Sequence, residues 1–133
     1  MTLVDANVVI DVAMDDPVWA DWSQEQLDVA AERDDLAIGD VVYAELSVRY
    51  SRLSELEAML RQFQISLTPT PREALFLAGK AYQHYRASGG TRTGVLPDFF
   101  IGAHALVARM PLITRDATRY RSYFPGIELI APG

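Results

Sequence analysis

The chain has 133 residues, half of them hydrophobic, with no cysteine and a formal net charge of −6. This length fits one domain with a real core, and the absent cysteines exclude disulfides and thiolate metal sites and fit a reducing cytoplasm. No run approaches the ~18 apolar residues of a membrane span, Met1 to Asp5 lacks the basic and apolar regions of a signal peptide, and the negative charge argues against nucleic-acid binding by simple electrostatics.

Thr2-Leu3-Val4 reads as a short buried strand ending at Asp5. Val8-Val9-Ile10 would extend it by β-propensity, but Asp5-Ala6-Asn7 reads as a turn. Asp16-Pro17 predicts the N-cap and first position of a helix through about Asp34, with Trp19, Trp22, Val29 and Ala30 inward. Leu36-Ala37-Ile38 is a second strand, and Asp40 is expected to cap a helix to about Tyr50. Ser54 to Glu57 has the capping-box pattern, opening a helix with Leu56, Met59, Leu60 and Phe63 on one side. Ile65-Ser66-Leu67 is a third strand.

Thr70 to Glu73 is a second capping box with Pro71 at the first helical position. Its helix repeats Ala74, Leu77, Ala78, Ala81 and Tyr85 at helical spacing. Ser88 to Gly94 is a flexible loop. It leads into Leu96 to Leu106, which is apolar almost all round except for Asp98, so this helix must be buried. Pro97 pushes Leu96 out of the helical region, which makes Asp98 the residue that opens the helix. Pro111 to Ile113 is a fourth strand and Ile127 to Ile130 a fifth.

Short apolar strands alternating with helices predict a three-layer α/β/α sandwich around a mainly parallel sheet of four to five strands. Ligands in such sheets bind in the crevice outside the carboxyl ends of the strands. Asp5 lies at the end of the first strand and Asp116 just beyond the fourth. Glu45 falls about one turn into the helix after the second strand, and Asp98 starts the helix feeding the fourth. The architecture allows all four acids to face one crevice.

Four carboxylates gathered together repel one another, and a divalent cation relieves that repulsion. Hard oxygen donors without cysteine point to Mg²⁺ or Mn²⁺, suited to activating water and neutralising charge on a phosphoryl group. Four acids suffice for one ion or two, and their carboxylates are expected within one or two hydrogen-bond lengths of a common cation position. Basic residues are biased towards the anionic-substrate chemistry this implies. Residues 72–133 hold eight of the twelve, and eleven of the twelve are arginine.

Four stretches then carry a resemblance. The sequences VDANVVID at the start, YAEL around Glu45, LPDFFIGAHAL around Asp98 and LITRDATRY around Asp116 are together similar to PIN-domain ribonucleases of the VapC toxin type. YFPGIELIAP resembles that family's closing strand, so the likeness spans residues 1–133 as a single PIN-like nuclease domain. The resemblance implies that Asp5, Glu45, Asp98 and Asp116 are catalytic and metal-site residues, with Asp5, Asp98 and Asp116 ligating directly. Glu45 would ligate through water or act as general base. Thr114 matches the polar residue that orients an acid or a water, and Asn7 a polar position beside the first aspartate. Many relatives have Ser or Thr at the position of Asp40. The resemblance also makes the residues after Asn7 helical.

The expected function is therefore a metal-dependent endoribonuclease toxin, neutralised by a VapB-like antitoxin and forming a homodimer. Arg115, adjacent to Asp116, is the best candidate for a substrate phosphate, and Arg92 rides the glycine-rich loop. Arg119 and Arg121 read as solvated. Leu53, Leu56, Met59, Leu60 and Phe63 read as core or a helix-packing face, which in this family can form an antitoxin groove. His104 reads as a hydrogen-bonded core histidine and His84 as a surface residue. A phosphotransfer receiver would need a phosphorylatable aspartate after the third strand, where Leu67-Thr68-Pro69 stands. A haloacid-dehalogenase phosphatase would need Asp-x-Asp, which Asn7 breaks. The non-enzyme alternative is a catalytically silent RNA- or protein-binding module.

Overall fold

Thr2-Leu3-Val4 is buried on every side and forms β1, the middle strand of the sheet in a computed structural model that describes residues 1–92 and 94–133. Thr93 of the glycine-rich loop lies outside the described residues. β2 (Leu36–Ile38), β3 (Ile65–Leu67), β4 (Leu112–Ile113) and β5 (Leu129–Ile130) complete a five-stranded sheet of order β3-β2-β1-β4-β5. All four pairings are parallel, in the registers Leu3–Ala37, Leu3–Leu112, Ala37–Ser66 and Leu112–Leu129. Helices cover the sheet to give the expected α/β/α sandwich. β1 and β2 are wholly buried, as a parallel sheet covered on both faces requires. β3 and β5, at the edges, are only partly covered.

Among the described residues the helices are α1 (Ala6–Ala13), α2 (Ala20–Arg33), α3 (Asp40–Ser47), α4 (Leu53–Gln62), α5 (Arg72–Ala87), α6 (Leu96–Ala108) and α7 (Thr118–Tyr123). Val8 and Val9 are thus helical, against their β-propensity. Both are fully buried in α1, so tertiary packing decides their conformation.

Several helix starts differ from the sequence expectation. Asp16 does cap, but its Oδ2 accepts the N–H groups of Val18 and Trp19 in a separate turn, and α2 begins only at Ala20. Val29 on α2 is 47% exposed, whereas Leu27 and Ala30 are buried. Asp40 is the first residue of α3 after Gly39, and its carboxylate accepts the Thr70 N–H at 3.0 Å, tying α3 to the segment before α5. Neither capping box forms. Ser54 lies inside α4, which starts after Arg52, while Glu57 accepts the Tyr43 hydroxyl at 2.8 Å. Pro71 occupies the cap of α5 instead of its first turn. Leu96 is helical despite preceding proline, so Pro97 is the second residue of α6 and Asp98 the third.

The sequence's all-apolar helix, α6, is the buried one. It packs against α5 and α7 through an aromatic cluster in which Phe99 meets Tyr82, Tyr85, Tyr123 and Phe124 at centroid distances of 5.2 to 6.2 Å. Two glycines permit the close approaches. A Cβ at Gly102 would lie 2.4 Å from the Phe124 ring, and one at Gly39 would lie 2.7 Å from His104 Nδ1. His104 is buried as expected, but its Nε2 has no hydrogen-bond partner, and burial lowers its pKa. On α4, Leu56, Met59 and Leu60 enter the core while Leu53 is 72% exposed.

Candidate active site

The strand order reverses beside β1: the chain leaves it towards β2 and β3, then returns to β4 on the other side. Such a switch point opens a crevice at the strands' carboxyl ends. Asp5, immediately after β1, has an extended backbone and caps α1, its Oδ1 accepting the Ala6 N–H at 2.7 Å. Its Oδ2 accepts the hydroxyls of Thr114 at 2.8 Å and Tyr120 at 2.9 Å. Burial pushes the Asp5 carboxyl up to about 6, the three donors oppose that rise, and the charge of Asp98 adds to it.

Glu45 extends from α3 towards the same region. Its carboxyl is pushed up to about 7, first by burial and then by the charges of Asp5 and Asp98. Its Oε1 is buried without a hydrogen-bond partner. Asp98, in the first turn of α6, is half-buried and pairs with Arg119 of α7, Nη1 to Oδ2 at 2.6 Å. Burial raises its pKa, Arg119 opposes the rise, and the charge of Asp116 reinforces it. Asp116 follows β4 and is exposed, with its N–H on Thr114 Oγ1 at 3.2 Å.

The four acids are therefore electrostatic neighbours, but they are not a closed ligand shell. Among the described residues, no three carboxylate or imidazole groups converge closely enough to hold one ion as they stand. The expectation of four carboxylates around a common point is corrected to that extent: Asp98 is turned onto Arg119. The donor set nevertheless fits a hard divalent cation. It is all oxygen, it carries one orphaned buried carboxylate oxygen, and burial and neighbouring negative charge raise the pKa of both Asp5 and Glu45, a repulsion that a cation would relieve.

The arginines fall differently from the sequence reading. Arg115 is committed to Asp11, Nε to Oδ2 at 2.6 Å and Nη2 to Oδ1 at 3.0 Å, and lies 5.3 Å from the Trp19 ring centroid. Asp11 is 1% exposed and also accepts the Ser23 hydroxyl at 2.7 Å. Arg92 is exposed, its N–H on the Tyr85 hydroxyl at 3.1 Å. Asn7 accepts the Arg115 N–H at 3.3 Å, pinning the loop after β4 to α1.

Sequence reasoning missed Asp11, Arg119 and Tyr120. Spacing along the chain carried a signal for each. Asp11 stands four residues after Asn7, on the same face of α1. Arg119 and Tyr120 fall in the first turn of α7, which opens two residues after Asp116, so a short helix directly after the fourth strand keeps both near the strand ends.

The fold and the acid-lined switch point define a parallel α/β protein with a polar crevice at the ends of β1 and β4. The sequence pattern of the PIN domain matches residues 2–123, and the chain belongs to the PIN domain family. Among solved structures it is similar to VapBC2 from Rickettsia felis bound to a DNA fragment from its promoter (18% identity, TM-score 0.76, covering 99% of this chain and 98% of that one). It also resembles VapBC-1 from nontypeable Haemophilus influenzae (16%, 0.71, 98% and 96%) and DNA-bound VapBC from Salmonella typhimurium (18%, 0.70, 98% of each). No match is found among curated proteins. No described helix is long and apolar enough to cross a membrane.

Proposed function

We propose that this chain is a VapC-type toxin, a cytoplasmic endoribonuclease dependent on Mg²⁺ or Mn²⁺ and restrained by a VapB-like antitoxin. The observation that carries the reading is the gathering of Asp5, Glu45, Asp98 and Asp116 at the β1/β4 switch point, with Glu45 Oε1 buried and unpartnered. Membership of the PIN family supports it, as does likeness over nearly the full length of chains solved in VapBC and toxin–antitoxin complexes. On this reading residues 1–133 are one nuclease domain, which forms a homodimer as well as the antitoxin complex.

Asp5, Asp98 and Asp116 would hold the cation, with Glu45 beside them. The chemistry a divalent cation supplies when bound is activation of water and neutralisation of charge growing on the phosphoryl oxygens. The chain's own residues do the rest. Thr114 and Tyr120 hold the Asp5 carboxylate at one orientation by donating to the same oxygen. Glu45, with a buried carboxylate oxygen that has no hydrogen-bond partner, is free to accept a proton from the attacking water. Arg115 supports the site through Asp11 and Asn7, so phosphate contact passes to Arg119 and Arg92.

The test is induced expression in a bacterial host, without antitoxin, of the wild-type chain and of Asp98→Asn. The expected result is growth arrest with one discrete RNA fragment for the wild type and neither for the variant. Arrest that survives Asp98→Asn would sink the nuclease reading.

A further inference from the structure

Arg119 stands on the wall between two features. On one side its Nη1 meets Asp98 Oδ2 at 2.6 Å, the pair being 15% and 32% exposed. On the other its guanidinium carbon lies 5.8 Å from the centroid of the Tyr85 ring. That ring, with Tyr123, Arg92, Thr118 and Ser122, lines a cleft of about 390 Å³ that opens beside Asp116. This is within the size range of small-ligand sites, and its chemistry suits a nucleotide: one partly exposed tyrosine, Tyr123, with hydroxyls and two arginines.

We propose that Arg119 is a two-position residue: it neutralises Asp98 in the metal-free protein and, when a divalent cation takes that carboxylate, turns to hold a backbone phosphate of single-stranded RNA lying in the Tyr85–Tyr123 cleft. The inference rests on the ribonuclease reading above. Three physical arguments carry it. The pair rests on one Nη1–Oδ2 contact, and a divalent cation brings twice the charge of the guanidinium to the same carboxylate. A freed guanidinium offers five donors in a fork that fits phosphate oxygens. Tyr85 is buried and only its edge reaches the cleft, but the partly exposed Tyr123 ring offers a surface on which a base can pack without regard to sequence. The guanidinium already lies beside Tyr85, so the exchange needs a side-chain rotation and no movement of α7.

A fixed role for Arg119, orienting Asp98 for the metal, makes the opposite prediction, and Arg119→Gln separates them. Mg²⁺ binding alone is followed by calorimetry. Binding of a fluorescent single-stranded RNA hexamer is followed by anisotropy with Ca²⁺ present. The expected result is split: Mg²⁺ binds about tenfold more tightly to Arg119→Gln than to the wild type, while the RNA binds about tenfold more weakly. Arg121→Gln removes the same charge from an exposed position on α7 and should leave Mg²⁺ affinity within about twofold, as for a screened charge. Should Arg119→Gln not fold, Arg119→Lys keeps the charge without the fork, and is expected to bind Mg²⁺ like the wild type and RNA more weakly. Weaker Mg²⁺ binding by Arg119→Gln would overturn the inference in favour of a fixed role. So would an equal gain in Arg119→Gln and Arg121→Gln, or unchanged RNA binding. A wild type and variant that both ignore Mg²⁺ would instead overturn the ribonuclease reading, and this inference with it.

Discussion

Thr114 Oγ1 donates to Asp5 Oδ2 at 2.8 Å, joining the ends of β4 and β1 across 109 residues of chain. Thr114 is fully buried, and its hydroxyl oxygen also accepts the Asp116 N–H. One side chain thus fixes the rotamer of one acid and the backbone of another. Thr114→Val keeps the shape and removes both contacts. It is expected to cost about 1–3 kcal/mol, as for a lost hydrogen bond to a charged group, and to lower RNA cleavage. Chemical denaturation and a cleavage assay at matched folded fraction check this. A variant of unchanged stability would mean that the bond to Asp5 carries little.

Asp11 and Arg115 form the strongest structural pair near the site. Asp11→Ala would leave the Arg115 guanidinium half-buried without its carboxylate, at a cost of about 3 kcal/mol. The Mg²⁺-induced rise in melting temperature should persist in whatever fraction stays folded. If Asp11→Ala is instead stable but loses the metal response, Asp11 belongs to the metal site and not to its support.

Asp5 and Glu45 set a pH dependence. Their folded-state carboxyls lie at about 6 and about 7, against ordinary values of 3.8 and 4.5. The native state therefore holds more protons than the unfolded chain between those limits, and metal-free stability falls as pH rises through the window. The contribution present below the window is on the order of 3 kcal/mol for the buried Asp5 and less for the more exposed Glu45. Melting in chelator should drop between about pH 4.5 and 7.5, and saturating Mg²⁺ should flatten the drop. A metal-free protein that gains stability across this range contradicts the crowded-carboxylate account.

Gly102 tests how α6 and α7 are docked. A Cβ there would lie 2.4 Å from the Phe124 ring, forcing α7 outward with Arg119 and Tyr120. Gly102→Ala is expected to destabilise by roughly 1–3 kcal/mol from overpacking, despite alanine's better helix propensity. A more stable variant, read by thermal melting, would show that the ring moves aside freely.

The sheet was legible because its strands are short apolar runs with turn chemistry between them, and Leu3, Ala37 and Leu112 pair as that pattern implies. The buried character of α6 was legible from its missing polar face. Caps were not: Ser54 and Thr70 sit in capping-box patterns, yet Arg52 and Pro71 take the cap positions, and neither makes a side-chain cap hydrogen bond. At the site, strand ends placed Asp5 and Asp116 near one crevice. The partners of the charges stayed hidden, since nothing local in the sequence pairs Arg115 with Asp11 or Arg119 with Asp98. Those pairings are set by how α1, α6 and α7 pack.

The central claim is that the acids at the β1/β4 switch point cut RNA with a divalent cation. It is tested most directly by incubating purified, antitoxin-free protein with a structured RNA in Mg²⁺, in Mn²⁺ and in chelator, alongside Asp5→Asn and Asp98→Asn. The account predicts cleavage by the wild type with either metal, none in chelator, and none by either variant. Cleavage that continues in chelator, or that survives in either variant, would contradict it.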